Sequence, residues 1–188
     1  MRWLVLAALL GLAGCGGGPR TQFYTLVPEG PAPHADPAWH GRPLKVAQVE
    51  LPADLDRASF VTLGPGPAVS VSDQDRWAAP LDELVRRTLT QDLRGRLGDA
   101  AVLAPADPVP PSGVRTVVLA VQRFSGDNAG QVVLAADWAV ANGNPPKPGP
   151  LHHVRIVEDA GSTQGGAVAA AMSRALGRLA DEVARGVG

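Results

Sequence analysis

The sequence predicts one α/β (α+β) domain of two layers, a mixed β-sheet covered by two amphipathic helices at about 80–98 and 163–185. Three observations carry that expectation. Apolar residues recur every three or four positions in two long segments: Leu81, Leu84, Val85, Leu89, Leu93 and Leu97, then Val168, Met172, Ala175, Leu176, Leu179 and Val183. That spacing gives a helix a single apolar face. Between them, Val117, Leu119 and Val121, then Val132, Leu134, Ala136, Trp138 and Val140, alternate on either side of a turn at Ser125–Gly130, the period of a long β-hairpin. The order strands, helix, strands, helix lets both helices cover one sheet face, and no segment repeats at a fixed period.

The chain opens with Met1-Arg2 and an uncharged apolar run from Trp3 to Leu12, closing on Leu12-Ala13-Gly14-Cys15. A positive start, an apolar stretch and small residues form the layout of a secretory signal. The run is too short to span a bilayer, which takes about 20 residues. Leu-Ala-Gly-Cys resembles the bacterial lipobox, at which the cysteine is acylated and the chain is cut just before it. The expected organisation is a signal peptide over 1–14, a lipidated flexible tether over 15–22 and one domain over 23–188. Gly16-Gly17-Gly18-Pro19-Arg20 has the composition of a flexible linker. Eight residues separate Cys15 from Phe23, a reach of at most about 27 Å at roughly 3.4 Å per residue.

Phe23 to Val27 reads as a first strand, rich in aromatic and β-branched residues. Residues 28–43 carry prolines at 28, 31, 33, 37 and 43 and read as an irregular connector. A strand over Leu44–Leu51 with Val46 and Val49 inward, a turn over Pro52–Arg57, and two short strands at Phe60–Leu63 and Ala68–Ser72 around Gly64-Pro65-Gly66-Pro67 follow. Pro80 opens the first helix at a first-turn position where proline loses no hydrogen bond. Asp82 and Glu83 lie near its positive end, Arg94 and Arg96 near its negative end, and Gly98 is its stop. Beyond the central hairpin come a Pro/Gly loop over Asn142–Pro150, a strand over Leu151–Val157 and the last helix. Its expected outer face carries Ser173, Arg174, Arg178, Asp181, Glu182 and Arg185.

Removal of residues 1–14 takes away Arg2 and leaves 16 basic against 18 acidic residues, a charge of −2. That near-neutral balance carries no footprint for nucleic acid. No basic cluster flanks Cys15, so acyl chains must supply the anchoring. With the only cysteine lipidated, no disulfide, Cys-ligated zinc or thiol nucleophile remains.

Residues that could carry catalysis are sparse. His152-His153 is the nearest approach to a metal motif, but adjacent residues of a strand point to opposite faces. His34 and His40 lie in the proline-rich connector. No Gly-x-Ser-x-Gly is present, and Ser162 or Thr163 reads as the N-cap of the last helix. Asp73-Gln74-Asp75 lacks the glycine and later glutamate of a calcium loop and reads as a polar turn before Trp77. Asp137, opposite in face to Trp138, is expected to be solvated or paired with an arginine. The sequence therefore predicts no catalytic residue, cofactor or metal.

Three strings are more specific: Phe23-Tyr24-Thr25-Leu26 after the lipobox, Leu51-Pro52 through Leu55-Asp56-Arg57, and Trp77-Ala78-Ala79-Pro80-Leu81 at the first helix. With the Ala169-Ala170-Ala171-Met172-Ser173 helix near the end, their order and spacing resemble the PqiC-like family of auxiliary lipoproteins of ABC-type and MCE-type transport systems. The Gly-Pro-Gly-Pro hairpin and the proline-rich connector depart from that pattern. The resemblance implies an accessory lipoprotein with an MCE-domain protein and an inner-membrane permease as partners, and a homo-oligomeric ring as its assembly. It implies the outer membrane as location, facing the periplasm. Gly16 stands where an aspartate would retain the chain at the inner membrane. Tyr24, Asp56, Arg57 and Trp77 are the candidate partner-interface residues, with Cys15 as the lipidation site. Each also has a packing role open to it: Trp77 as a plug where helix meets sheet, Tyr24 as a strand residue, Asp56 and Arg57 as a local turn pair. A lipid- or solute-binding lipoprotein that carries cargo itself, and a small periplasmic enzyme, are the competing expectations.

Overall fold

The computed structural model describes residues 20–31, 41–143 and 147–187; Cys15 and the rest of 1–19, together with His34, Trp39 and His40, lie outside the described residues. In chain order the elements are β1 (Gln22–Tyr24), β2 (Leu44–Glu50), β3 (Ser59–Leu63), β4 (Val69–Trp77), α1 (Leu81–Leu97), β5 (Val102–Leu103), β6 (Arg115–Asp127), β7 (Gln131–Ala141), β8 (His152–Asp159) and α2 (Gly165–Val187).

All eight strands join one sheet that forks at β6. The first half of β6 pairs in parallel with β2, Val46 opposite Val117, and its last residues pair in parallel with β3, Thr62 opposite Gly126. One branch continues β2–β5, the other β3–β4–β1, and on its other edge β6 pairs antiparallel with β7 and then β8. The mixed sheet and the two helices on one face are the architecture the sequence predicts. The central hairpin is longer than its alternation marks, because a bulge between Val121 and Arg123 returns Phe124 to the core side.

Pro80 precedes α1 instead of occupying its first turn. Its backbone is extended (ψ 135°) and its carbonyl accepts the first helical bond, from Leu84 at 3.0 Å. Gly98 ends the helix at φ +93°, its N–H donating to the Arg94 carbonyl. The second helix starts at Gly165, later than expected. Ser162 does not cap it, because its hydroxyl closes a short turn onto the Gln164 N–H at 3.4 Å. β4 also runs on to Trp77, so Asp73-Gln74-Asp75 is an excursion within a strand. Ser72 Oγ accepts there from the Asp75 N–H at 2.9 Å.

The core lies between helices and sheet, with Leu84, Leu89, Leu93, Leu119, Phe124, Leu134, Leu176 and Leu179 essentially without exposure. Burial of each such side chain contributes about 1.5–3 kcal/mol. Leu26 to Pro31 lie along the groove between α1 and α2. The Val27 N–H donates to Ser173 Oγ at 3.0 Å and the Glu29 N–H to Asp92 Oδ1 at 2.7 Å. Ser173, expected on the outer face of its helix, is therefore buried beneath this strap. Small residues make room for it: a Cβ on Gly95 would stand 2.1 Å from the Pro31 carbonyl oxygen, and one on Gly177 2.8 Å from the Glu29 Cβ.

Candidate functional site

Two of the candidate interface residues come together. Tyr24 and Trp77 are register partners across β1 and β4, and Phe60 joins them, its ring 4.0 Å from Trp77 in a stacked arrangement and 5.1 Å from Tyr24. The Trp77 N–H donates to the Ala58 carbonyl at 2.7 Å and the Ala78 N–H to the Tyr24 carbonyl at 2.8 Å, which locks the end of the strand pair onto the start of α1. Phe60 carries no special motif; its place in the corner follows from the β3–β4 pairing, which short alternating strands do not specify. Tyr24 presses on the first residue of α2, where a Cβ on Gly165 would meet its ring at 2.8 Å. Burial raises the Tyr24 hydroxyl above its ordinary pKa, and the nearby Asp75 carboxylate raises it further. The hydroxyl is neutral at physiological pH.

Asp56 and Arg57 stand apart from this corner. Both are exposed, in the turn closed by the Leu55 and Asp56 N–H groups on the Pro52 carbonyl. They form no ion pair with each other among the described residues. Leu55 is the turn's anchor, buried against the core. Asp56 lines an open groove of about 390 Å³ with Val49, Glu50, Leu51 and Asp82, so three of its five lining residues are acidic. Trp77, Leu81, Phe60, Phe124 and Met172 surround an interior cavity of about 10 Å³, room for about one water molecule.

The histidines take the opposite faces expected of strand neighbours. His152 stacks on Trp138 with ring centres 4.2 Å apart, and His153 Nδ1 lies 2.5 Å from Asp137 Oδ1. Asp137 is thus neither free in solvent nor paired with an arginine, because β7–β8 register sets it opposite His153. No serine or threonine hydroxyl bonds either imidazole among the described residues. No three His, Cys, Asp or Glu side chains there are placed to hold a metal.

Two buried carboxylates were not legible as such in the sequence. Asp92 is wholly buried between α1 and the strap, and Glu158 is buried under Arg174 and Arg178 of α2. The only signal for Asp92 was its position at i, i+4 from Arg96 on the flank of an apolar stripe.

Comparison with known proteins gives one consistent result. The model of the ABC-type transport auxiliary lipoprotein component matches residues 24–184. The intermembrane transport lipoprotein PqiC of Escherichia coli K12 is 30% identical over 138 residues, 73% of this chain and 72% of that protein, and the PqiC of Shigella flexneri matches equally. A crystal structure of an uncharacterized protein superposes with a TM-score of 0.68 at 20% identity, covering 90% of this chain and 99% of the other. A Xanthomonas campestris protein superposes at 0.69 and 18%, covering 87% and 93%. These two share the fold.

Proposed function

The chain belongs to the ABC-type transport auxiliary lipoprotein family, and on that premise we propose that it is a docking adaptor without catalytic activity. It serves an intermembrane transport system for lipids or other hydrophobic solutes. Acyl chains on Cys15 hold it at the outer membrane, facing the periplasm. The folded domain, in a ring of copies, receives the distal end of a conduit built by an MCE-domain protein, whose permease sits in the inner membrane.

What supports an adaptor over a cargo carrier is the filled interior. Between helices and sheet the cavity at the aromatic corner is about 10 Å³, room for about one water molecule, and the larger concavities, of about 390 and 400 Å³, are open surface grooves, the first rimmed by Glu50, Asp56 and Asp82. The same corner supports a positioning role for Tyr24 and Trp77. They hold β1, and with it the tether, against the start of both helices. Asp56 and Arg57 are the two candidates with side chains free to meet a partner.

Affinity purification from membranes, with the native chain and with Cys15→Ser, tests the reading. Recovery of an MCE protein and a permease with the native chain, lost with Cys15→Ser, is the expected result. Recovery of neither by a chain that mass spectrometry shows to be acylated would sink the adaptor.

A further inference from the structure

We propose that the tip of the β3–β4 hairpin seats in the interface of the bilayer that carries this chain's own acyl anchor. The inference rests on the lipid-anchor reading of Cys15. Four observations lead to it.

The first is composition. From Ala58 to Ser72 no residue is charged, yet residues 65–71 are exposed, Val69 at 51% and Val71 at 41%. An exposed ribbon tip in water is normally marked by charge, because unpaired strand edges invite association. This one offers Leu63, Ala68, Val69 and Val71 around Gly64-Pro65-Gly66-Pro67.

The second is the backbone. Entry of a loop into an apolar phase is costly chiefly through unpaired N–H and C=O groups. Here Pro65 and Pro67 have no N–H to desolvate. The Gly64 N–H is already satisfied by the Ala68 carbonyl at 2.8 Å, and Leu63 and Val69 face each other in the ladder.

The third is direction. β1 runs parallel to β4, with Gln22 opposite Asp75, so the chain arriving from Cys15 enters at the end of the sheet where β4 begins. The tip and the tether leave the domain on the same side.

The fourth is reach. Ser59 lies level with Arg76 and Phe23, and Leu63 lies level with Val69, so four β3 residues carry the tip about 13 Å beyond Phe23 at roughly 3.3 Å each. The eight residues back to Cys15 span at most about 27 Å. A tether of that length keeps the tip side within reach of the membrane, and the tip covers half the distance. Phe23, 66% exposed on the edge strand, lies behind it on the same route.

The test uses the full-length acylated protein in phosphatidylethanolamine–phosphatidylglycerol vesicles. An environment-sensitive fluorophore is attached at Ala68→Cys and, in a second sample, at Ser112→Cys. Ser112 is exposed just before β6, at the far end of the strand whose last residues pair with the hairpin. The expected result is a blue-shifted emission at position 68, quenched by nitroxide-labelled lipid, with neither effect at 112. Adding Val69→Asp should abolish the shift at 68 while the circular dichroism spectrum and vesicle association persist. Equal, water-like emission at both positions in protein with acylated Cys15 would overturn the proposal and leave the anchor standing. A blue shift without lipid quenching would overturn it in favour of a protein contact. Absence of acyl chains on Cys15 in mass spectrometry would remove the anchor and this inference together.

Discussion

The backbone N–H of Glu29 donates a 2.7 Å hydrogen bond to Oδ1 of Asp92, a carboxylate with no solvent exposure. That bond fastens the segment after β1 onto α1. Arg96 lies 3.4 Å from the same oxygen and reaches α2 through Asp181 at 2.5 Å and the Gly177 carbonyl at 2.7 Å. Among the described residues, Oδ2 of Asp92 has no hydrogen-bond partner. Strap, α1 and α2 thus meet at one carboxylate, and the tether is coupled to both helices through it.

Burial raises the Asp92 pKa above 3.8, against the lowering by the Glu29 N–H and Arg96. A carboxyl whose folded pKa exceeds its unfolded one binds its proton first in the folded state. Its contribution is fully present below the unfolded pKa and is lost as pH rises through the folded pKa. The ionised carboxylate therefore costs stability at neutral pH, and Asp92→Asn escapes that cost. Chemical denaturation should show the stability difference shifting toward the native chain as pH falls from neutrality toward 3.8. Asp92→Ala, which also strands the Glu29 N–H and removes one partner of Arg96, should lose about 2–3 kcal/mol at neutral pH.

Two glycine substitutions should move stability in opposite directions. Alanine in a helix gains up to about 1 kcal/mol over glycine. At Gly166 the new Cβ would make ordinary contact with Tyr24 at 3.6 Å, so Gly166→Ala should raise the unfolding free energy by about 0.5 kcal/mol so near the helix start. At Gly95 the Cβ would lie 2.1 Å from the Pro31 carbonyl oxygen. Backbone cannot yield there without lifting the strap, so Gly95→Ala should cost about 1–3 kcal/mol. Faster amide exchange at Val27 and Glu29 should accompany it, because those N–H groups lose Ser173 and Asp92.

The helices, the central hairpin and the two-layer plan were legible because periodicity reports which face of an element meets the core. Leu81 to Leu97 and Val168 to Val183 carry that signal over many turns. The sheet's fork was not legible. It depends on Thr62 and Leu63 finding the end of β6, a pairing between segments sixty residues apart that alternation cannot specify. The strap was hidden for a different reason: Val27 and Glu29 are fastened through their backbone N–H groups, and the sequence pattern records side chains. Of the candidate interface residues, Tyr24 and Trp77 were singled out only because they stand in the strings that carry the family resemblance, while Phe60, which joins them, looked like any strand residue.

The candidate interface residues should separate under mutation. Trp77 is buried and stacked on Phe60, so Trp77→Ala should cost about 3–5 kcal/mol and lower partner recovery only through loss of fold. Asp56→Ala and Arg57→Ala should each leave stability within about 0.5 kcal/mol, so any fall in partner recovery with them reports contact. Tyr24→Phe should lose about 1 kcal/mol or less, because it removes only a hydroxyl from a half-buried ring and keeps the ring's packing on Phe60. Unfolding curves run beside the purifications separate these outcomes.

The Glu158 cluster should be asymmetric in its two arginines. Glu158 is 7% exposed in its side chain, and Arg174 Nε lies 3.2 Å from its Oε2 while Nη2 donates to the Asp159 carbonyl at 2.6 Å. Arg178 Nε approaches Oε1 at 2.6 Å, but outside hydrogen-bonding alignment, and its side chain is 64% exposed. Arg178→Ala should therefore cost under about 1 kcal/mol, as exposed ion pairs do. Arg174→Ala removes two aligned bonds and leaves a buried carboxylate with a solvated partner, at about 1–2 kcal/mol. Raising the ionic strength to 1 M shortens the screening length to about 3 Å. That should erase the Arg178 effect in urea denaturation and leave most of the Arg174 effect, because hydrogen-bond geometry survives where exposed charge attraction does not. Equal losses at both arginines, or equal salt sensitivity, would mean that Glu158 is held by charge alone.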